Sequence, residues 1–83
     1  MAQMLQLTVA TPEGVKFEGE VTRVTLPGAR GSFTILPRHA ALISSLTAGR
    51  LRYVTAAGEE QTLEVAGGFA EVNSDVVSVC VEL

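Results

Sequence analysis

With one cysteine, one histidine, one lysine and no tryptophan, the 83-residue chain gives up several kinds of chemistry at once. Cys80 has no partner for an intramolecular disulfide, so a fold this small must be held by its apolar core or by a partner, and the compartment reads as reducing. Cys80 and His39 together fall short of a closed Cys/His site, and neither a metal nor any other cofactor is expected. His39 is also the sole imidazole available to activate a nucleophile. Ser32, Ser44, Ser45, Ser74 and Ser78 lie in no Gly-x-Ser-x-Gly elbow, so no catalytic residue is expected. No phosphate-binding Gly-Lys-Ser/Thr loop occurs, and Gly28-Ala29-Arg30-Gly31 is followed by no helix to hold a phosphate. No run reaches the roughly 18 apolar residues that span a bilayer, and Met1-Ala2-Gln3 lacks the regions of a signal peptide. The expectation is a soluble chain not secreted by that route. Nine carboxylates against six basic side chains give a net charge of −3, so nucleic acid is not an expected partner.

What the chain does have is apolar surface in short alternating segments. It is 47% hydrophobic and 18% charged, with a mean hydropathy of +0.34, enough to fold as a single domain over residues 1–83. Leu5, Leu7 and Val9 alternate with Gln6, Thr8 and Ala10, and near the C-terminus Val77, Val79, Val81 and Leu83 alternate with Val76, Ser78, Cys80 and Glu82. A period of two marks strands with one buried face. Between them, turn clusters such as Thr11-Pro12-Glu13-Gly14, Ala57-Gly58 and Asn73-Ser74-Asp75 leave segments of about 4 to 8 residues, the length of strands. Val15–Phe17 and Val21–Leu26 read as two of them, and no window of a dozen residues shows helical amphipathicity. The predicted fold is all-β, a two-sheet β-sandwich or flattened barrel of about ten short strands, because one wide sheet leaves an apolar face bare. Its expected core is Leu5, Leu7, Val9, Val24, Leu26, Ile35, Leu51, Tyr53, Leu63, Val65, Val77 and Val79.

Most polar features read as structure or solvated surface. Glu59-Glu60 follows a turn and Glu18/Glu20 share one side of a strand, so both pairs read as surface carboxylates. Arg50 and Arg52 lie opposite Leu51 and Tyr53, on a wetted sheet face or against a partner carboxylate. Paired Gly67-Gly68 predicts a tight corner between sheets. The stretch from Arg30 to Ile43 is the most informative: a glycine turn enters an apolar strand, Pro37 ends it, and Arg38-His39 sits on a loop that partners can reach. One rim is expected to hold His39 with Arg30 and Arg38.

Taken in order, Leu5-Gln6-Leu7-Thr8-Val9, the stretch from Val15 to Val21, Gly31-Ser32-Phe33-Thr34-Ile35-Leu36-Pro37-Arg38-His39-Ala40-Ala41-Leu42, Leu51-Arg52-Tyr53 and Gly67-Gly68-Phe69-Ala70-Glu71-Val72 resemble the N-terminal β-sandwich of the epsilon subunit of F-type ATP synthases. The resemblance implies a ten-stranded, non-catalytic rotor part of the central stalk. It would clamp the gamma subunit and rest on the c subunits of the rotor ring, coupling proton flow to ATP synthesis. It implies a peripheral place on the cytoplasmic face of a bacterial inner membrane or the equivalent organelle side, with membrane contact only through the complex. Carried over by position, Arg30, Ser32, Arg38 and His39 face the ring, and Thr11 and Ser44 face gamma. The chain departs from the pattern where the family has an acidic residue and this chain has Ser32, where family glycines are Thr34 and Arg38, and where a family proline is Ala41. Family members continue into two C-terminal helices associated with inhibition and, in some, ATP sensing, functions not expected of this chain.

A lipoyl- or biotinyl-type carrier domain is the alternative of similar size and acidity. It requires a lysine at a hairpin tip, and Lys16 lies instead between Val15 and Phe17. Other small β-barrel modules that bind nucleic acid need aromatics on a basic face; Phe17, Phe33, Tyr53 and Phe69 are dispersed.

Overall fold

Alternation of buried and less buried side chains marks the first and last strands of the computed structural model, which describes residues 3–83. Eight strands follow one another: β1 (Leu5–Thr11), β2 (Gly14–Gly28), β3 (Gly31–Ile35), β4 (Leu42–Leu46), β5 (Gly49–Thr55), β6 (Glu60–Val65), β7 (Gly67–Asn73) and β8 (Val76–Glu82). The all-β sandwich is as expected, with eight strands rather than about ten. One strand of the difference is accounted for by β2, where Val15–Phe17 and Val21–Leu26 are one strand of 15 residues. Gly19 does not interrupt it: the Phe17 ring closes over the glycine, 3.2 Å from where a Cβ would stand.

β2 also serves both sheets. Its first half, from Gly14 to Val21, pairs antiparallel with β1, and its second half pairs with β5 and with β3. The change of partner coincides with a bulge at Thr22, the extra residue between Val21 and Arg23 opposite β5. Bulges bend and twist a strand, which is what a strand turning a corner between sheets needs. One sheet runs β4-β7-β8-β1 and ends on the first half of β2; the other is β3, the second half of β2, β5 and β6, and Gly28 opposite Leu46 joins them. The two strands most legible from the sequence, β1 and β8, are neighbours and run parallel. Gly67 and Gly68, at φ 156° and 150°, carry the chain from β6 in one sheet to β7 in the other, the expected corner. Ser74 and Asp75, at φ 51° and 65°, make the two-residue turn between β7 and β8, whose twist matches the flanking strands.

The core lies between the sheets. Leu5, Leu7, Val9, Val21, Val24, Leu26, Ile35, Leu46, Leu51, Val65, Ala70, Val72, Val77, Val79 and Val81 are buried. Tyr53 and Leu63, expected inside, are partly buried at its margin with Phe17, Phe33 and Leu42. Leu83 lies past the end of β8 and is exposed. Within Ala40 to Leu46, the stretch of the sequence that comes nearest to a helical pattern, Leu42–Leu46 forms β4.

Candidate functional site

Cross-strand register lines up a row of small and apolar side chains on the outer face of the first sheet. Ser45 opposes Phe69, Phe69 opposes Cys80, Cys80 opposes Ala10, and Ala10 opposes Val15. Phe69 is 51% exposed, and Ile43, two residues from Ser45 on the same face, is 76% exposed. Ala10, Thr11, Pro12, Gly68, Phe69, Cys80, Val81 and Glu82 line an open depression of about 360 Å³ there. Around it the same face carries Glu18, Glu20, Glu71 and Glu82, all exposed, with Lys16 as its one basic residue. An apolar centre with a charged border is the anatomy of a protein docking surface.

Thr11 stands at the edge of this depression. Its hydroxyl accepts from the Glu13 amide at 3.1 Å and donates to the Gly14 carbonyl at 3.1 Å, so it shapes the β1–β2 turn. Ser44 is half-buried and its hydroxyl donates to the Ser45 carbonyl at 3.1 Å. On β4 the side chains turned outward are Ile43 and Ser45. Sequence reasoning missed Phe69, Cys80 and Ile43 as one surface. Alternation places Cys80 outward, but only the pairing of β7 with β4 and β8 brings the three together.

The outer face of the second sheet has the opposite character. Arg23, Arg50 and Arg52 stand on it with Glu60 and Glu64, and Arg50 Nε donates to Glu64 Oε1 at 2.9 Å in an exposed ion pair. Thr25, Ser32, Thr47, Arg50, Arg52 and Glu64 border a polar groove of about 590 Å³ on this side.

The four residues expected on one rim lie at the two ends of β3. Arg30 and Ser32 are at its start, and the amide of Ala29 donates to the Ser45 carbonyl at 3.1 Å, near the end of β4. Arg38 and His39 lie past its end, where the Arg38 amide donates to Asp75 Oδ1 at 2.6 Å in the β7–β8 turn. The five residues of β3 stand between Arg30 and Arg38, about 17 Å of extended chain. β3 pairs with β2 alone among the described residues, so all four follow one edge of the sandwich rather than sharing a loop.

His39 Nδ1 lies 2.8 Å from the Ala40 carbonyl oxygen, which can only accept, so Nδ1 is the donor of this contact. It is paired with no serine or cysteine among the described residues. Among the described residues no cluster of three or more His, Cys, Asp or Glu is placed to hold a metal, and no helix is long and apolar enough to cross a membrane. Lys16 is the extra residue of a bulge between the Val9–Phe17 and Ala10–Val15 pairs, inside a strand and not at the hairpin tip that a carrier lysine occupies. Burial pushes the Tyr53 phenol above its ordinary range.

Fold and surfaces together define a small β-sandwich module with one apolar-centred face, one polar face and an edge strand. The chain belongs to the family of the ATP synthase delta/epsilon chain β-sandwich domain, whose model matches residues 4–83. The ATP synthase epsilon chain of Wolinella succinogenes is 43% identical over 79 residues, covering 95% of this chain and 59% of that protein. The epsilon chain of Desulfitobacterium hafniense is 42% identical over 79 residues, again covering 95% and 59%. This chain thus spans about three-fifths of the length of the curated relatives it matches. A chain in the cryo-EM structure of Euglena gracilis mitochondrial ATP synthase with OSCP, F1 and c-ring superposes with a TM-score of 0.88 at 24% identity, over 94% of this chain and 50% of that one. One in the central stalk and c-ring of Tetrahymena thermophila mitochondrial ATP synthase gives 0.78 at 20% identity, over 98% and 65%. At such identities the likeness is one of fold.

Proposed function

We propose that this chain is the β-sandwich of a central-stalk subunit of an F-type ATP synthase, a rotor part that grips the gamma subunit, seats on the c subunits of the ring and couples proton flow to ATP synthesis. It does no chemistry itself; stiffness and contact surface are its activity. In the cell it sits on the cytoplasmic side of the inner membrane, or the equivalent organelle side, and meets the membrane only through the complex. The observation that carries this reading is the apolar band of Phe69, Cys80, Ala10, Val15 and Ile43 on the outer face of the first sheet, in a chain of the delta/epsilon family.

Gamma covers that band. Thr11 borders it, and Ser44 supports it from the half-buried side of β4. The β3 edge meets the ring, with Arg30 and Ser32 at one end and Arg38 and His39 at the other. A contact centred on apolar side chains resists salt, whereas exposed guanidinium contacts weaken as ions screen them. The chain and gamma, mixed at micromolar concentration, are therefore expected to co-elute in size exclusion at low and high salt. Phe69→Ser is expected to weaken that complex by about tenfold or more without unfolding the chain. Separate elution of the unaltered chain and gamma contradicts the reading.

A further inference from the structure

Residues 36–41 cross from β3 to β4 without a strand of their own, yet they are tied to two distant parts of the chain. Arg38 has φ 69°, the left-handed region in which a Cβ crowds the following carbonyl. Something other than local preference must hold an arginine there. Asp75 Oδ1 accepts from the Arg38 amide at 2.6 Å, a short charge-assisted bond. Arg38 Nε donates to Gln3 Oε1 at 2.8 Å, and Gln3 Nε2 donates to Asp75 Oδ2 at 3.3 Å. The glutamine amide is oriented by both partners, since reversing it sets its oxygen against a carboxylate and its NH₂ against a guanidinium. Asp75 is itself a firm anchor. It occupies the two-residue turn between β7 and β8, and its carbonyl accepts from the Gln6 amide of β1 at 2.8 Å.

We infer that Asp75 and Gln3 are positioning residues for the Arg38-His39 loop: the Asp75 carboxylate caps the left-handed Arg38, and Gln3 links that carboxylate to the Arg38 guanidinium. The loop, the β7–β8 turn and the lead into β1 then set as one unit. Gln3 engages Nε, and no hydrogen bond of the terminal guanidinium nitrogens is present among the described residues, so these remain available to a partner carboxylate. His39 is held in the same unit, because its amide donates to the Leu36 carbonyl at 3.2 Å. The inference rests on the proposed function only in taking the rotor ring as what the loop meets.

Amide hydrogen exchange on the isolated chain tests it. Asp75→Ala is expected to speed exchange at the Arg38 and His39 amides by about tenfold or more, with the amides of β1 and β8 away from the turn unchanged. Adding Arg38→Gly to Asp75→Ala is expected to restore protection at His39, because glycine takes φ 69° without a cap. Unchanged exchange at Arg38 and His39 in the single variant overturns the inference. If Asp75→Ala unfolds the chain, Gln3→Ala gives the decision: faster exchange of the Arg38 Nε proton supports the link, and an unchanged rate overturns it. Binding of Asp75→Ala to purified rotor ring separates the two proposals. Loosened loop and unchanged ring affinity keep the positioning role and remove the loop from the ring contact.

Discussion

Gly68 shows how closely one residue can be dictated by its surroundings. A Cβ there would overlap the Cys80 carbonyl oxygen and stand 2.8 Å from the Val81 Cα, and its φ of 150° is already one that side chains avoid. Gly58 has φ 88° but open space around it. Gly58→Ala is accordingly expected to cost about 1 kcal/mol and Gly68→Ala about 3 kcal/mol or more, measured by urea unfolding; equal costs contradict the close approach. In the core, Leu7 is fully buried between the sheets. Leu7→Ala is expected to cost about 3 kcal/mol, a large share of the 5–15 kcal/mol typical of a domain, and a loss under about 1 kcal/mol contradicts its place there. At this scale the sequence was legible where period-two alternation is unbroken, as in Leu5, Leu7 and Val9. It was not legible at Asp75, since nothing local says that a turn carboxylate caps a loop 37 residues away.

Among the elements, β2 decides the architecture, and the sequence pattern divides it into two segments, Val15–Phe17 and Val21–Leu26. Glu18, Gly19 and Glu20 interrupt the run of apolar residues, but Gly19 lies under the aromatic ring of Phe17 two residues earlier and the strand continues. Thr22 gives no sign in sequence that it is a bulge, because a bulge is defined by the partner strand. The same strand brings Phe17 against Tyr53 of β5, ring centroids 4.4 Å apart and tilted by 38°. Burial raises the Tyr53 pKa above 10.0, so the folded state keeps the phenol proton to higher pH than the unfolded chain does. That contribution to stability is full below the unfolded value and is lost as pH rises past it through the folded value. Urea midpoints taken between about pH 9 and 11 are expected to fall more steeply for the unaltered chain than for Tyr53→Phe. Parallel slopes contradict the assignment.

At the scale of the whole molecule, a body of 35 × 23 × 18 Å presents two unlike faces, one with an apolar band and acidic border, the other with three guanidiniums and a polar groove. Turn chemistry and alternation were enough to read a two-sheet sandwich from the sequence, and the ordered motifs from Leu5 to Val72 were enough to read the family. The apolar band is not readable, because Phe69, Cys80 and Ala10 come from three strands whose adjacency is a matter of topology. The rim residues appeared as one cluster because Arg30 and Arg38 are close in sequence, whereas an extended strand carries them apart. For the proposed cover of the apolar band by gamma, the chain holds its own probe in Cys80, the single cysteine, exposed beside Phe69. The direct measurement is the rate of Cys80 alkylation with and without saturating gamma. Gamma is expected to slow it by about tenfold or more while the chain stays folded; an unchanged rate in a chain shown to be gamma-bound contradicts cover of the band.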